Sequence, residues 1–158
     1  MLIKAASVSD VNELERIYSL SFESNARFFP DDMEEDEDGD EEDFSFTSEM
    51  RRFGTHVMGI WVNNRLTGGA IISRSSEGAN MLEKLFILPC EQGKGYGYRA
   101  WLEIERSYPC KAGWTLRTPT CLINNVCFYV NKCGFSIIRV EDLGRDGVGM
   151  FVFYKATV

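Results

Sequence analysis

The sequence predicts one α/β domain spanning residues 1–158, built on a mixed and mostly antiparallel sheet. We expect six to seven strands, about four flanking helices and one parallel β-α-β crossover at the centre of the sheet. Three observations support this prediction. A chain of 158 residues suits a single core. Apolar residues recur at helical spacing in some segments and in short strand-like runs in others. A glycine-rich stretch at 92–97 separates an apolar run from a helical pattern.

The N-terminal third predicts a strand, a long helix and a short helix. Residues 2–6 form the strand, and Ser7 with Asp10 resembles a helix-capping pair. The long helix ends near Ser24. Its apolar positions recur at helical spacing, at Val11, Leu14, Ile17, Tyr18 and Phe22. Residues 44–53 predict a short helix leading back into the sheet.

The middle of the chain predicts three consecutive antiparallel strands. They cover residues 56–62, 66–74 and 78–88. The residues between the first two strands, Asn63 to Arg65, are typical of a hairpin turn.

The remainder predicts two helices and three strands. One helix runs from about Gly95 to Ser107, with an inner face of Tyr98, Trp101, Leu102 and Tyr108. The strand at 112–118 is expected to lie parallel to the strand before that helix. A second helix is predicted to open at Pro119, to span about Thr120 to Cys133 and to end at Gly134. Two final strands lie at 135–142 and 147–156.

The charge is distributed unevenly. The chain holds 17 basic and 24 acidic residues, a net charge of −7, but the segment 31–43 contains 11 acids and no base. The remainder, with 17 basic and 13 acidic residues, carries +4. We expect the acidic segment to be a mobile, solvated loop, and its alternative role is an electrostatic attractant for a cationic substrate. The basic residues form no stripe with interleaved aromatics, so nucleic acid is not an expected ligand.

Cysteine and histidine usage argues against metal and nucleophile chemistry. The five cysteines include no Cys-x-x-Cys pair, and His56 is the only histidine. We therefore expect no metal site and no hydrolase triad. The sequence has no apolar run of membrane-spanning length and no pattern of a secretion leader, which predicts a cytoplasmic location without a membrane partner.

Three glycine motifs can be compared with residues 92–97. A P-loop needs Ser or Thr after Gly-Lys, but Gly95 follows Lys94. The dinucleotide motif matches residues 95–100, yet the next strand lacks the acidic residue that this fold requires. The third motif, Gln/Arg-x-x-Gly-x-Gly/Ala, is met by Gln92, Gly95 and Gly97. Glycines between a strand and a helix expose amides that can hold a phosphate.

On this motif the chain resembles the GNAT superfamily of N-acetyltransferases. The preceding strand LEKLFILP and the late segment NNVCFYVNKCGF also resemble that family, and the resemblance extends in order over nearly the whole chain. It implies a GNAT-like fold and acetyl-CoA as co-substrate. In the family, the strand pairs with the pantetheine arm and the loop binds the pyrophosphate. The coenzyme A residues implied here are Leu85, Phe86, Ile87, Gln92, Gly93, Lys94, Gly95, Tyr96, Gly97, Tyr98, Asn124 and Lys132, with Asn125 as a further contact.

The resemblance also implies catalytic residues. Glu83 would act as a general base through water, and Tyr129 would protonate the departing thiolate, with Cys127 and Cys133 as alternative donors. The family usually places its tyrosine four residues before the glycine of Gly-Phe, where this chain has Val130. One residue is 100° of helix, which turns Tyr129 away from the thioester unless the helix starts or bends differently.

The implied reaction moves an acetyl group from acetyl-CoA directly to a primary amine, and the acidic segment suggests a cationic small molecule or peptide as the acceptor. Two alternatives stay open. The chain could be a non-catalytic acyl-CoA-binding domain, or an interaction protein that binds a basic partner through segment 31–43. A homodimer is compatible with either reading.

Overall fold

The computed structural model describes residues 1–31 and 44–157, so the expectation of a mobile acidic loop falls almost wholly on residues outside these ranges. The described residues form a seven-stranded sheet and four helices. The strands are β1 (Leu2–Ala5), β2 (Thr55–Val62), β3 (Arg65–Ser73), β4 (Asn80–Ile87), β5 (Trp114–Pro119), β6 (Ser136–Glu141) and β7 (Met150–Lys155). The helices are α1 (Val11–Asn25), α2 (Phe46–Arg51), α3 (Tyr96–Ser107) and α4 (Ile123–Asn131).

The sheet has the order β1-β2-β3-β4-β5-β7-β6. Every neighbouring pair is antiparallel except β4 and β5, which run parallel and are connected through α3. The predicted fold class, with one central parallel crossover, is confirmed. No helix in the described ranges has the length and apolar character needed to span a membrane.

Local sequence signals account for the first elements. The Ser7 amide donates to the Asp10 carboxylate over 2.8 Å, which confirms the predicted capping pair at the turn that opens α1. In the β2–β3 hairpin, Asn63 and Asn64 both have positive φ, at 50° and 62°. Asparagine tolerates this conformation, which a two-residue hairpin needs. Arg65, predicted in the turn, is instead the first residue of β3.

Two apolar layers form on the two faces of the sheet. Helices α1 and α2 cover one face, and the buried residues there include Leu14, Ile17, Phe46, Ile71 and Phe86. Helices α3 and α4 contribute to the core on the other face, where the buried residues include Trp101, Trp114, Leu116, Phe135 and Phe153.

Three predicted inward positions are wrong. On α1, Phe22 is 60% exposed and the polar Ser21 is buried, because Ser21 lies one turn after the buried Ile17. On α3, Tyr98 and Leu102 are exposed, and the buried residues are Ala100, Trp101 and Ile104. Leu102 follows Trp101 by one residue, and the 100° rotation between them places it outside the buried stripe.

The predicted start of α4 at Pro119 is also wrong. Pro119 ends β5 opposite Met150, and the Thr120 amide donates to the Gly149 carbonyl over 2.9 Å. The chain therefore continues its sheet contacts for one more residue and makes a turn before α4 begins at Ile123. Gly134 has a φ of 79°, which suits a residue after a helix end, but α4 ends at Asn131 and not at the predicted Cys133.

Candidate active site

Strands β4 and β5 separate soon after they begin. Their parallel pairing covers only Asn80 with Trp114 and Met81 with Thr115. Opposite β3 the register shifts so that Glu83 has no partner, and such a bulge bends and twists its strand. Along 82–87, the edge of β4 that faces β5 therefore has no strand partner in the described part of the chain. The sheet opens into a wedge beside exposed backbone groups.

A short loop connects the open end of β4 to α3. The Gln92 side-chain amide donates to the Ile87 carbonyl over 2.9 Å, which ties the loop to the strand. Gly93 and Gly95 have φ of 77° and 83°, a left-handed conformation that glycine adopts without strain. Helix α3 begins directly afterwards, at Tyr96. Its first-turn amides have no partners within the helix, and they lie at the positive end of the helix dipole.

A cavity of about 510 Å³ joins the wedge to this loop. From β4 it is lined by Leu85, Phe86 and Ile87. From the loop and the start of α3 it is lined by Gln92, Gly93, Gly95, Tyr96, Gly97 and Tyr98. From α4 it is lined by Asn124, Asn125 and Tyr129, and from the residue after α4 by Lys132. The fold thus brings most of the site residues that were predicted from the sequence together around one cavity.

Two predicted residues do not line the cavity. The ammonium of Lys94 lies 2.8 Å from the Glu91 carboxylate, and this hydrogen bond raises the pKa of Lys94. Glu83 accepts hydrogen bonds from the Arg52 guanidinium and the Ser73 hydroxyl. Arg52 follows the end of α2. Glu83 therefore connects β4 to β3 and α2.

Four lining residues were not predicted from the sequence: Ser21, Asn25, Glu91 and Phe128. For α1 the sequence did carry a signal, because Ser21 is a polar residue at an inward position of an amphipathic helix. Asn25 lies one turn further on the same face. A polar residue at such a position needs a hydrogen-bonding partner or a cavity.

The end of α4 explains why Tyr129 faces the cavity despite its unusual spacing. The Cys133 amide donates to the Phe128 carbonyl over 3.2 Å, and the Phe135 amide donates to the Tyr129 carbonyl over 3.0 Å. Each bond spans one residue more than the corresponding bond at an ordinary helix end. The wider turn thus accommodates the extra residue between Tyr129 and Gly134, and Tyr129 lines the cavity.

Tyr129 lies in an aromatic surrounding. Its ring centroid is 5.1 Å from that of Phe128 and 5.9 Å from that of Phe153, and its side chain is buried. Burial raises the pKa of Tyr129 well above its ordinary value, so the phenol stays protonated at ordinary pH. Neither alternative donor lines the cavity: Cys127 is exposed and Cys133 is buried in the core.

Helix α4 is also held against β5. The Asn125 amide donates to the hydroxyl of the buried Thr118 over 3.3 Å. This contact fixes the side of the wedge that carries Tyr129, opposite the open edge of β4.

Comparisons with known proteins give one sequence relative and many structural ones. No family model matches the sequence. An uncharacterized protein of Bacillus subtilis, YrkN, is 36% identical over 87 residues, which cover 54% of this chain. The match covers 47% of that protein, so the chain spans about half the length of the curated relative it matches.

Three solved structures are similar over nearly the whole chain. A Desulfovibrio desulfuricans protein assigned to the GNAT family of acetyltransferases has a TM-score of 0.73 at 17% identity, covering 98% of each chain. A ribosomal-protein-alanine N-acetyltransferase of Brucella melitensis has a TM-score of 0.70 at 18% identity, covering 99% of this chain and 100% of that one. A Bacillus subtilis acetyltransferase in complex with CoA has a TM-score of 0.65 at 16% identity, covering 99% and 98%. The strand order, the wedge and these likenesses together show that the chain has the GNAT fold.

Proposed function

We propose that the chain is an acetyl-CoA-dependent N-acetyltransferase that moves the acetyl group directly to a primary amine. One observation carries the proposal: a single cavity joins the unpaired edge of β4 to the glycine loop at the start of α3. We also propose that this activity resides in one domain of residues 1–158. A cytoplasmic location agrees with five unpaired cysteines, which are usual in reducing compartments.

The cavity fits coenzyme A in two places. The backbone of Leu85 to Ile87 offers hydrogen-bonding groups to the pantetheine arm, in the manner of an added strand. The amides from Gly93 to Tyr98 would hold the pyrophosphate, with Lys94 as a point charge at the rim. An added Cβ at Gly93 or Gly95 would meet no protein atom within 4 Å, so the space beside the loop is free for phosphate oxygens. Asn124 on α4 and Lys132 directly after that helix would also contact the coenzyme.

The proposed reaction needs a neutral amine and a proton for the leaving group. The amine nitrogen attacks the thioester carbonyl, a C–N bond forms, and the C–S bond breaks. The departing thiolate takes a proton from Tyr129, and the amine releases one to a base. By reference values a tyrosine is about 1.5 pKa units less acidic than a thiol, and burial raises the pKa of Tyr129 further, so this transfer has to be concerted with C–S cleavage.

Glu83 is the proposed base. From its position outside the cavity wall it reaches the amine through water. Glu83→Gln tests this role, because a base contributes about 10²-fold or more to the rate. A fall of that size in kcat/KM with little change in Tm supports the role. An unchanged kcat/KM with a lower Tm would mean that Glu83 is not the base and only stabilises the fold through its hydrogen bonds with Arg52 and Ser73.

We propose a cationic molecule or peptide as the acceptor. The acidic segment 31–43 begins shortly after α1, whose Asn25 lines the cavity. The segment is followed by Phe44, which packs on Tyr18 of the same helix. A structural neighbour named as a ribosomal-protein-alanine N-acetyltransferase is consistent with an amine on a peptide.

Gly97→Ala tests coenzyme A binding without disturbing the fold. The new methyl group would lie 3.5 Å from the Phe128 ring and 3.8 Å from the Ile87 side chain, which is ordinary contact inside the cavity. We expect an unchanged Tm and a Kd for coenzyme A at least about tenfold higher, because the methyl group occupies phosphate space. Gly78→Ala, in a distant turn, is the control. A Kd unaffected by Gly97→Ala, measured by calorimetry with NAD as the comparison ligand, would contradict the proposal.

A further inference from the structure

An ammonium group already sits among aromatic rings beside the cavity. The Lys84 Nζ lies 4.5 Å from the ring centroid of Phe44 and 5.1 Å from that of Tyr18. Both distances are within the range of cation–π attraction. We call the space between these two rings, backed by Phe86, the aromatic niche. The niche is formed by Tyr18 of α1, by Phe44 and by Phe86 of β4. These residues are far apart in the sequence, so only the folded chain brings them together.

The aromatic niche adjoins the candidate active site. Phe86 lines the cavity, and its ring centroid is 5.3 Å from that of Tyr18. On α1, Ser21 and Asn25 also line the cavity, one and two turns after Tyr18. The niche is open to solvent as well, since Phe44 is 40% exposed. A molecule that enters the cavity from the α1 side thus passes the niche.

In the part of the chain that the structure describes, the present occupant is held by two aromatic ring faces. Among the described residues, Lys84 makes no ion pair, and the ring faces of Tyr18 and Phe44 are the contacts of its charge. Cation–π attraction at an open site is worth only a few-fold in affinity. The flexible four-carbon stem of lysine lets the ammonium leave while the backbone of β4 stays in place. Another ammonium can therefore take its position.

The chemistry of acetyl transfer indicates which ammonium would bind there. The attacking nitrogen must be uncharged, whereas the ring faces stabilise a positive charge. The niche therefore suits a cationic group of the acceptor other than the amine that becomes acetylated.

We propose that the aromatic niche is a binding subsite for a second, non-reacting ammonium of the acceptor, and that Lys84 fills it until the acceptor binds. This inference rests on the proposed function. It narrows the acceptor to molecules with at least two amino groups, such as diamines, polyamines or basic peptides.

The test compares α,ω-diaminoalkanes with 1-aminoalkanes of the same length. Four variants are used: Lys84→Met, Phe44→Leu, the double variant, and Lys4→Met as a matched control. Lys4 is suitable because its Nζ lies 4.7 Å from the Trp61 ring, the same type of contact away from the cavity. For each variant the ratio of kcat/KM for the diamine to that for the monoamine is measured, and Tm verifies folding.

We expect wild type to prefer diamines, with an optimum at one chain length. Lys84→Met removes the competing ammonium from the niche and raises the ratio about two- to fivefold, and Phe44→Leu lowers it by a similar factor. The double variant shows no gain, and Lys4→Met leaves the ratio unchanged. The proposed subsite is contradicted if the ratio falls in Lys84→Met or if Phe44→Leu leaves the ratio unchanged.

Direct titration separates this result from the proposed function. Diamine binding is measured by calorimetry in the presence of coenzyme A, without turnover. Binding that weakens in Phe44→Leu while no amine is acetylated overturns the transferase and keeps the subsite. If the diamine does not bind, or if its affinity is the same in Phe44→Leu as in wild type, the proposed subsite is contradicted even if acetylation occurs.

Discussion

At the scale of single residues, the environment of Tyr129 bears most directly on the proposed chemistry. Its neighbours are aromatic rings, its phenol lines the cavity, and its pKa is raised by burial. A group in this state can donate a proton or a hydrogen bond but cannot serve as a base at ordinary pH.

Removing the Tyr129 hydroxyl should therefore slow chemistry and spare binding. For Tyr129→Phe we expect kcat to fall about 10²-fold or more, with the Kd of coenzyme A unchanged. Steady-state kinetics and calorimetry measure the two quantities. Tyr154→Phe is the control, because the Tyr154 hydroxyl donates to the Ala112 carbonyl, away from the cavity. Equal kcat values for the two variants would remove Tyr129 from the mechanism.

Cys133 predicts how stability responds to alkaline pH. Burial raises the pKa of its thiol to about 12, although the Lys155 ammonium opposes the shift. Because the folded-state pKa lies above the unfolded one, this thiol stabilises the fold below about pH 9 and loses that contribution as pH rises toward 12. Urea unfolding of wild type and Cys133→Ala at ~pH 8 and ~pH 11 measures the effect. We expect a larger loss of unfolding free energy in wild type, and equal losses would contradict the assignment.

At the scale of elements, the glycine loop depends on its attachment to β4. The hydrogen bond from Gln92 to the Ile87 carbonyl holds the loop at the open end of the wedge. A hydrogen bond of this kind contributes about 0.5–1.5 kcal/mol. Its effect should appear in ligand binding, because it places the phosphate-facing amides.

Gln92→Leu keeps the approximate size of the side chain and removes this bond. We expect the Kd of coenzyme A to rise about two- to tenfold, since 1.4 kcal/mol corresponds to a factor of ten. Glu91→Gln, on the same loop, keeps this attachment, removes a carboxylate that lines the cavity and frees the Lys94 ammonium, so it should not raise Kd. Calorimetry compares the two, and a Kd that rises as much in Glu91→Gln as in Gln92→Leu would contradict the role of the attachment.

The elements also show where sequence patterns are sufficient. The hairpin at Asn63 and Asn64 and the capping pair at Ser7 and Asp10 were predictable because the interacting groups are close in sequence. The start of α4 was not, since the Thr120 amide bonds to Gly149, a residue far along the chain. A long-range hydrogen bond of this kind has no local signature.

At the scale of the whole molecule, charge separation predicts a salt effect. The intact chain has a net charge of −7, of which the segment 31–43 supplies 11 negative charges. Attraction of a cationic acceptor by this charge weakens as salt screens it.

We therefore expect kcat/KM for a diamine to fall as ionic strength rises. Deleting residues 31–43 leaves a chain of net charge +4, and the salt dependence should then vanish or reverse. Deletion of the segment with no change in kcat/KM or in its salt dependence would exclude an electrostatic role. A neutral amine acceptor serves as the control, because its kcat/KM should respond weakly in both proteins.

The sequence by itself determined the fold class, the order of the strands along the chain and the position of the glycine loop. These depend on local periodicity, on turn residues and on the spacing of Gln92, Gly95 and Gly97, all of which are properties of neighbouring residues. The tertiary structure alone decided three further matters: the separation of β4 from β5, the direction of Tyr129 and the aromatic niche around Lys84. The direction of Tyr129 depends on the widened turn at the end of α4, and the other two result from contacts between residues far apart in the chain. Such contacts are set by how the helices pack on the sheet, and that packing leaves no regular pattern in the sequence.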